Sequence, residues 1–411
     1  MILIRSLPLR HKPFALLFAA SLISRFGDAI LGIAALWSVY VFSHSAILLS
    51  LIVWAEVSPT VLFAIYSGVI VDRLNHKKIM ILADVARFVV LVVLVAAWYL
   101  RVYPLVALYA SLFILSALTT LFSPGFQLMV KQVVDRSDSL SSNAWLHTGR
   151  SIADLLGLTI GGVIVTLVGT NIAFLADGLT FLLSALLLYA IPFSATSKKA
   201  SERKAFKQEL VAAIHYLATA PAGLKQAFWY IVIINFAISP LSILMTLRAD
   251  RSSSHAVGLG ALSASLAVGS LLGSRLADSD WVKEHVRPLV GIPAFIGVFC
   301  LFSTLPAVIS PLWIDCLLLV GSGIGSSLTL VFVNFLFQQL TDTMFLGRIS
   351  SFRSLALRVP PPIMAFFYAF LISKSGLGDA TVFIEVVTII LAAFVFYRYG
   401  GRQHGLSSAS N

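Results

Sequence analysis

GVIVDRLNHKK, residues 68–78, places a glycine, an acid and a basic cluster in a short polar turn between two long apolar runs. Ala46 to Val71 precedes it, broken mainly by Glu56 and Pro59, and Ile79 to Tyr99 follows. Crossing a bilayer takes roughly 20 apolar residues, and each run supplies them. The stretch therefore reads as the tip of a hairpin of two membrane-spanning helices. Asp72, Arg73, Lys77 and Lys78 anchor it at the membrane face. Gly68, near the end of the first helix, allows two helix backbones to approach closely.

Composition extends this reading to the whole chain. Of 411 residues, 59% are hydrophobic and 11% charged, against about 25% charged in soluble domains; mean hydropathy is +0.95. The fold class expected is an all-α polytopic membrane protein. The apolar runs begin near Phe14, Ala46, Ile79, Pro104, Trp145, Ile172, Leu224, Val257, Leu289, Leu312, Val359 and Ala380, which gives 12 transmembrane helices. The run from Ile349 to Ile372 is the most interrupted, by Arg353, Arg358 and three consecutive prolines from Pro360. Strands of a membrane β-barrel would alternate over about ten residues, whereas these runs are continuous.

Lys and Arg placement sets the orientation, because cytoplasmic loops carry an excess of both. An even number of spans puts both termini on one side. With that side cytoplasmic, its segments hold about 20 of the 29 Lys and Arg. The opposite loops hold about four, namely Arg101, Arg248, Arg251 and Lys374. Cytoplasmic N- and C-termini in a cell inner (plasma) membrane are expected. The net charge of +11 has the same origin. Attraction to anionic membrane lipid accounts for it, and no nucleic-acid partner is expected. The first apolar run is too long, and lacks the small-residue cleavage pattern, for a cleavable signal to be expected. Cys300 and Cys316 fall inside spans and read as small buried hydrophobes.

The longest polar stretch, SATSKKASERKAFKQ from Ser194 to Gln208, divides the spans six and six. The organisation expected is an N-terminal six-helix half over 1–193, a cytoplasmic linker over 194–222 and a C-terminal six-helix half over 223–411. Within the linker, Glu209 to Ala220 has the pattern of a short amphipathic helix. Two such halves are what a repeat-built transporter would show. The end of span 8, GSLLGSRLADSDWVK, echoes the quoted stretch with Gly273, Asp278 and Lys283. It lacks the Asp-Arg pair, and the glycine lies one residue further from the acid.

The quoted stretch resembles the loop between helices 2 and 3 of the major facilitator superfamily, G-x-x-x-D-R-x-x followed by three basic positions. Gly68, Asp72, Arg73, Lys77 and Lys78 match, with His76 at the first basic position. LISRFGD (22–28), DRLNHKKIMILADVAR (72–87), DSLSSNAWLHTGRSIADLLGLTIGGVI (138–164), FLADGLTFLLSALLLYAIP (174–192) and GRISSFRSL (347–355) are similar to the drug:proton antiporter branch that holds macrolide-efflux proteins and the enterobactin exporter. The resemblance implies the major facilitator fold, with pseudo-two-fold symmetry between the halves. Two features depart from the branch. Gly157 to Gly162 lacks the proline of its G-P-x-x-G-G element, and span 4 lacks the arginine that many proton-coupled relatives carry.

Ionisable side chains within hydrocarbon cost at least about 2.5–3.5 kcal/mol at a helix centre, so they usually face the interior of a bundle. At 1.5 Å per residue, Arg25 and Asp28 lie roughly 16 and 21 Å into span 1 and Glu56 roughly 15 Å into span 2. Arg25 and Asp28 share a helical face. They are either a structural ion pair or, with Glu56, the proton- or substrate-coupling groups. A carboxylate in low dielectric takes a proton more readily than one in water, and a nearby arginine opposes this. Asp84 with Arg87, and Arg150 with Asp154, have i,i+3 and i,i+4 spacing. Each is a local ion pair or, with Gly68, Asp72, Arg73, Lys77 and Lys78, part of a cytoplasmic gate. The resemblance points to the start of span 11, near Gly347 and Arg348, as the partner of Asp72. Asp177, Asn235, Asp315 and Arg358 are further cavity candidates, and Glu385 a weaker one; an outer structural carboxylate is the competing role for Asp177. Asn235 with Pro240 in span 7 marks either a broken helix lining the cavity or a tolerated kink.

No phosphate-binding loop, HExxH, GxSxG or paired-cysteine motif occurs, so no enzyme, cofactor or metal site is expected. The function expected is a secondary active transporter. It would export a small organic compound, drug- or macrolide-like or siderophore-like, by alternating access coupled to proton antiport. Its partners would be the small-molecule substrate, protons and membrane lipid, with a monomer as default. Alternatives are an exporter of metal ions or lysolipids with the same fold, or a non-transporting membrane scaffold or sensor. The mid-membrane carboxylates argue against the scaffold.

Overall fold

The computed structural model describes residues 11–73, 75–134, 138–192, 220–252, 254–286, 288–308, 311–341, 353 and 356–400. Among these every regular element is an α-helix, and twelve stretches are long and apolar enough to cross a membrane. The chain forms two compact units.

The first unit is built from α1 (Lys12–Ser43), α2 (Ala46–Arg73), α3 (His76–Tyr99), α4 (Pro104–Val133), α5 (Ser139–Val168) and α6 (Thr170–Tyr189). By proximity it comprises Met1–His44, Leu51–Glu202 and His255–Ala264. Prolines open α1 and α4, where a missing N–H breaks no helical bond. The quoted stretch contains the start of α3: Asn75 caps it, its Oδ1 accepting the Lys78 backbone N–H at 3.2 Å. A single residue, Gly169, joins α5 to α6 at φ +88, ψ 169, a conformation open essentially to glycine alone. Apolar side chains of five helices, among them Phe14, Met80, Phe126, Leu146 and Leu188, form a core at the end where α1 begins. Along the seam between α1 and α5, Gly157 lies against the Phe26 carbonyl and Gly161 against Ile30. That packing brings the middle of α5 level with Arg25.

The second unit contains α7 (Ala222–Ile238), α8 (Leu241–Arg251), α9 (His255–Ala277), α10 (Asp280–His285), α11 (Pro288–Val308), α12 (Leu312–Leu340), α13 (Pro360–Ser375) and α14 (Leu377–Gly400). Its residues are Ser45–Ser50, Arg203–Ser254 and Ser265–Asn411, so the first part of α9 groups with the first unit. Helices α7 and α8 form one span, Ala222–Arg251, interrupted at Ser239 and Pro240. The ring of Pro240 cannot continue a helical hydrogen-bond ladder. Ser239 turns its hydroxyl to the Pro361 carbonyl on α13 at 2.6 Å. Gly376 joins α13 to α14 at φ +86, ψ 170, nearly the geometry of Gly169. Where the degenerate copy of the opening stretch falls, the short helix α10 follows α9, capped by Ser279.

Most of the expected linker 194–222, its amphipathic helix included, lies outside the described residues, as do Gly347 and Arg348.

Candidate functional site

Five helices of the first unit carry charge into its interior. Helix α1 brings Arg25 and Asp28, α2 Glu56, α3 Asp84 and Arg87, α5 Arg150 and Asp154, and α6 Asp177.

Two of the expected local pairs are not formed. Arg25 does not close on Asp28. It reaches across to α5, with Nε 2.6 Å from Asp154 Oδ1 and Nη2 3.2 Å from Oδ2. The guanidinium fork fits a carboxylate facing it across the seam through two nitrogens, and the packing at Gly157 and Gly161 puts one there. Arg150 correspondingly leaves Asp154. Its Nε donates to Ser21 Oγ on α1 at 3.3 Å, and its guanidinium lies 5.0 Å over the Phe126 ring. The Arg25–Asp154 pair is open, with 50% and 29% of the side chains exposed.

Asp84 and Arg87 do pair within α3, at 2.9 Å, and they are shut away from solvent. Ser184 of α6 donates to the second Asp84 oxygen at 2.7 Å. The Arg87 guanidinium sits between the Phe122 ring of α4 at 4.8 Å and the Phe181 ring of α6 at 5.0 Å. Its Nε and Nη2 have no hydrogen-bond partner among the described residues. The sequence suggested Asp84 and Arg87 for a gate beside Asp72 and Arg73; their described contacts all run to α4 and α6.

Asp177 is fully buried. Its Oδ1 accepts from Thr180 Oγ1 at 3.2 Å, and its Oδ2 has no partner. Its carboxyl packs onto Gly27 of α1, where a Cβ would come within 2.3 Å of Oδ1. A side chain there would have to displace the Thr180 hydroxyl and the Asp177 carboxyl. Asp28, the next residue, is half-buried. Glu56 is exposed. Neither carboxylate has a hydrogen bond or ion pair among the described residues.

Of the residues assigned to a gate, Gly68, Asp72 and Arg73 have side chains outside the described set. Lys77 donates to the carbonyls of Tyr189 at 2.9 Å and Ile191 at 2.7 Å, and thus caps the end of α6. A cation there complements the helix dipole. Lys78 is exposed.

In the second unit Asp315 meets Arg248, whose Nε and Nη2 lie 3.0 and 2.5 Å from Asp315 Oδ2. Arg248 was expected in an outer loop; it is instead a residue of α8, 5% exposed, because Asp315 on α12 compensates its charge. Asn235 bonds back to the Ile231 carbonyl of its own helix at 2.7 Å, and Arg358 is exposed. Glu385 on α14 accepts from Ser303 on α11 at 2.6 Å.

Sequence reasoning missed Ser184, Thr180 and the two phenylalanines that hold Arg87. A signal was present. Asp177, Thr180 and Ser184 stand at i, i+3 and i+7, a polar stripe on an otherwise apolar helix. Helices α1 and α5 also border an apolar groove of 330 Å³ lined by Phe18, Leu22, Phe26, Trp145, Ile152 and Leu156. Among the described residues no cluster of three metal-ligating side chains occurs.

Twelve apolar spans make a multi-pass membrane protein, and the proteins it resembles are transporters rather than enzymes. The model of the transmembrane secretion effector family matches residues 5–357, and the chain belongs to that family, within the major facilitator superfamily. It is similar to the MFS-type transporter YkuC of Bacillus subtilis (strain 168), 24% identical over 403 residues, which are 94% of this chain and 92% of YkuC. Among solved structures it resembles a POT family transporter in complex with 5-aminolevulinic acid, at 13% identity and TM-score 0.74, over 94% of this chain and 96% of that one. It also resembles a bacterial homologue of the iron transporter ferroportin in an inward-facing state, at 16% identity and TM-score 0.73, over 96% and 99% of the two chains. At these identities the likeness to solved structures is one of fold.

Proposed function

We propose that the protein exports a small organic compound from the cytoplasm across a bacterial inner membrane by alternating access of its two halves, driven by proton antiport. The observation that carries this reading is the charge balance of the first unit. Among the described residues inside its spans, Asp28, Glu56, Asp84, Asp154 and Asp177 stand against Arg25, Arg87 and Arg150, and Asp28 and Glu56 have no ion pair. An excess of carboxylates inside a membrane has to be neutralised, and a proton is the cation that these groups can take up on one side and release on the other. Arg25 suits the role of exchangeable counter-ion, since its partner Asp154 is held in the open. The apolar groove and the lack of a three-ligand cluster among the described residues favour an organic cargo over a metal ion. The Lys and Arg bias supports cytoplasmic termini.

Expression in an efflux-deficient host, challenged with macrolides and dyes and assayed for siderophore secretion, identifies the cargo. With that cargo in proteoliposomes, Asp28→Asn and Glu56→Gln are expected to abolish or sharply reduce substrate-driven proton movement. Proton movement unchanged in both variants overturns the assignment.

A further inference from the structure

We infer that Glu385 on α14 holds a proton as a fixed part of the second unit, and that this proton ties α14 to α11 through Ser303 and the Cys300 carbonyl. The site is separate from the coupling groups of the first unit, and the inference does not rest on the antiport reading.

A count of hydrogens carries it. Ser303 Oγ stands 2.6 Å from Glu385 Oε1 and 3.2 Å from the Cys300 carbonyl oxygen. A serine hydroxyl has one hydrogen to give, so with Glu385 as a carboxylate the two acceptors compete for it. A proton on Oε1 completes the chain: the acid donates to Ser303 Oγ, and Ser303 donates to the carbonyl. Glu385 Oε2 has no partner among the described residues. That is tolerable for the carbonyl oxygen of a neutral acid and far more costly for half of a carboxylate. The nearby hydroxyls do not make up the deficit, because each threonine is turned to a backbone carbonyl. Thr304 bonds Cys300 at 2.7 Å, Thr381 bonds Leu377 at 2.7 Å and Thr388 bonds Ile384 at 2.8 Å. The Tyr368 hydroxyl lies 2.7 Å from Thr381 Oγ1 and is taken up there.

The surroundings offer no charge in place of the proton. Helix α14 packs on α11, α7 and α13. On α11 the one titratable group is Cys300, whose thiol is beside the Glu385 carboxyl. Helix α7 carries Lys225 near its start and Tyr230, whose hydroxyl accepts from Gln226. Helix α13 carries Tyr368 and, in its last turn, Lys374. Helix α14 itself has Asp379 in its first turn and Tyr397, Arg398 and Tyr399 at its far end. None of these cations forms an ion pair with Glu385 among the described residues. Glu385 is 4% exposed and Ser303 and Cys300 are 0% exposed. An unpaired carboxylate so enclosed is very costly, and keeping the proton removes the charge. The chain of donors ends on a backbone carbonyl, which has no hydrogen to pass on. The proton is therefore held rather than relayed.

The test is infrared spectroscopy of the full-length protein in proteoliposomes at neutral pH, without substrate. The wild-type spectrum minus that of Glu385→Gln is expected to show the carbonyl-stretch band of a protonated carboxyl and no carboxylate band. The glutamine amide supplies the same donor to Ser303, so this variant is expected to fold. Ser303→Ala keeps the acid but removes its acceptor, and is expected to move the same band to higher frequency. A carboxylate band in the first difference, or an acid band unmoved by Ser303→Ala, overturns the inference. If Glu385→Gln fails to fold, the wild-type minus Ser303→Ala spectrum decides alone: a displaced acid band supports the held proton, and its absence overturns it.

Discussion

In the second unit Arg248 spends both of its facing nitrogens on one Asp315 oxygen, at 5% and 0% exposure, and Glu385 lies buried on a serine hydroxyl. In the first unit Arg25 and Asp154 are paired in the open, Asp28 and Glu56 have no ion pair among the described residues, and Asp177 and Arg87 keep polar atoms unmatched in the interior. The second unit pairs a buried arginine with a buried carboxylate, although Asp315 Oδ1 and Glu385 Oε2 keep no hydrogen-bond partner among the described residues. The contrast is one of exposure, a closed arginine–carboxylate pair in the second unit against an open one in the first.

Four variants break or sharpen this contrast. The largest loss of stability is expected from Arg248→Ala, which strands Asp315 without a cation. Removing one partner of a buried pair costs about 3–5 kcal/mol, read as a lowered thermal midpoint in detergent. Retention of wild-type stability would mean that the second unit's pair is not a joint at all. Next come Gly169→Ala and Gly376→Ala. Each is expected to cost about 1–3 kcal/mol, and by similar amounts, because the two turns share one backbone conformation. Unequal losses would show that the halves are less alike than their backbones. Smallest in stability is Arg25→Gln. An exposed pair contributes about 0–1 kcal/mol, so the midpoint should hardly move, while substrate-driven transport falls at least tenfold. A variant that transports normally would move Arg25 out of the coupling machinery.

Much of the fold was legible in the sequence, because hydrophobic length is a local property. Twelve spans could be read from runs and punctuation, while at Pro240 the sequence left a break and a kink equally open. The partners of the charges could not. Spacing along one helix reveals only i,i+3 and i,i+4 neighbours, and it suggested Arg25 with Asp28 and Arg150 with Asp154. The real partner of Arg25 lies 129 residues away, delivered by the packing of α5 on α1. Arg248 read as a loop residue because its own neighbourhood, LRADRSSS, is polar; its burial depends on Asp315, 67 residues downstream. Asp84 with Arg87 was readable because both ends of that pair lie on one helix.

The two glycine turns carry a kinematic consequence. A single residue spans at most about 3.6 Å, so neither α5 and α6 nor α13 and α14 can slide past one another by a helical turn of about 5.4 Å without breaking the joint. Each of these hairpins is a stiff two-legged strut. Whatever displacement accompanies a transport cycle has to be taken up at connections with slack, and the break between α7 and α8 at Ser239 and Pro240 is a compliant element built into a span itself.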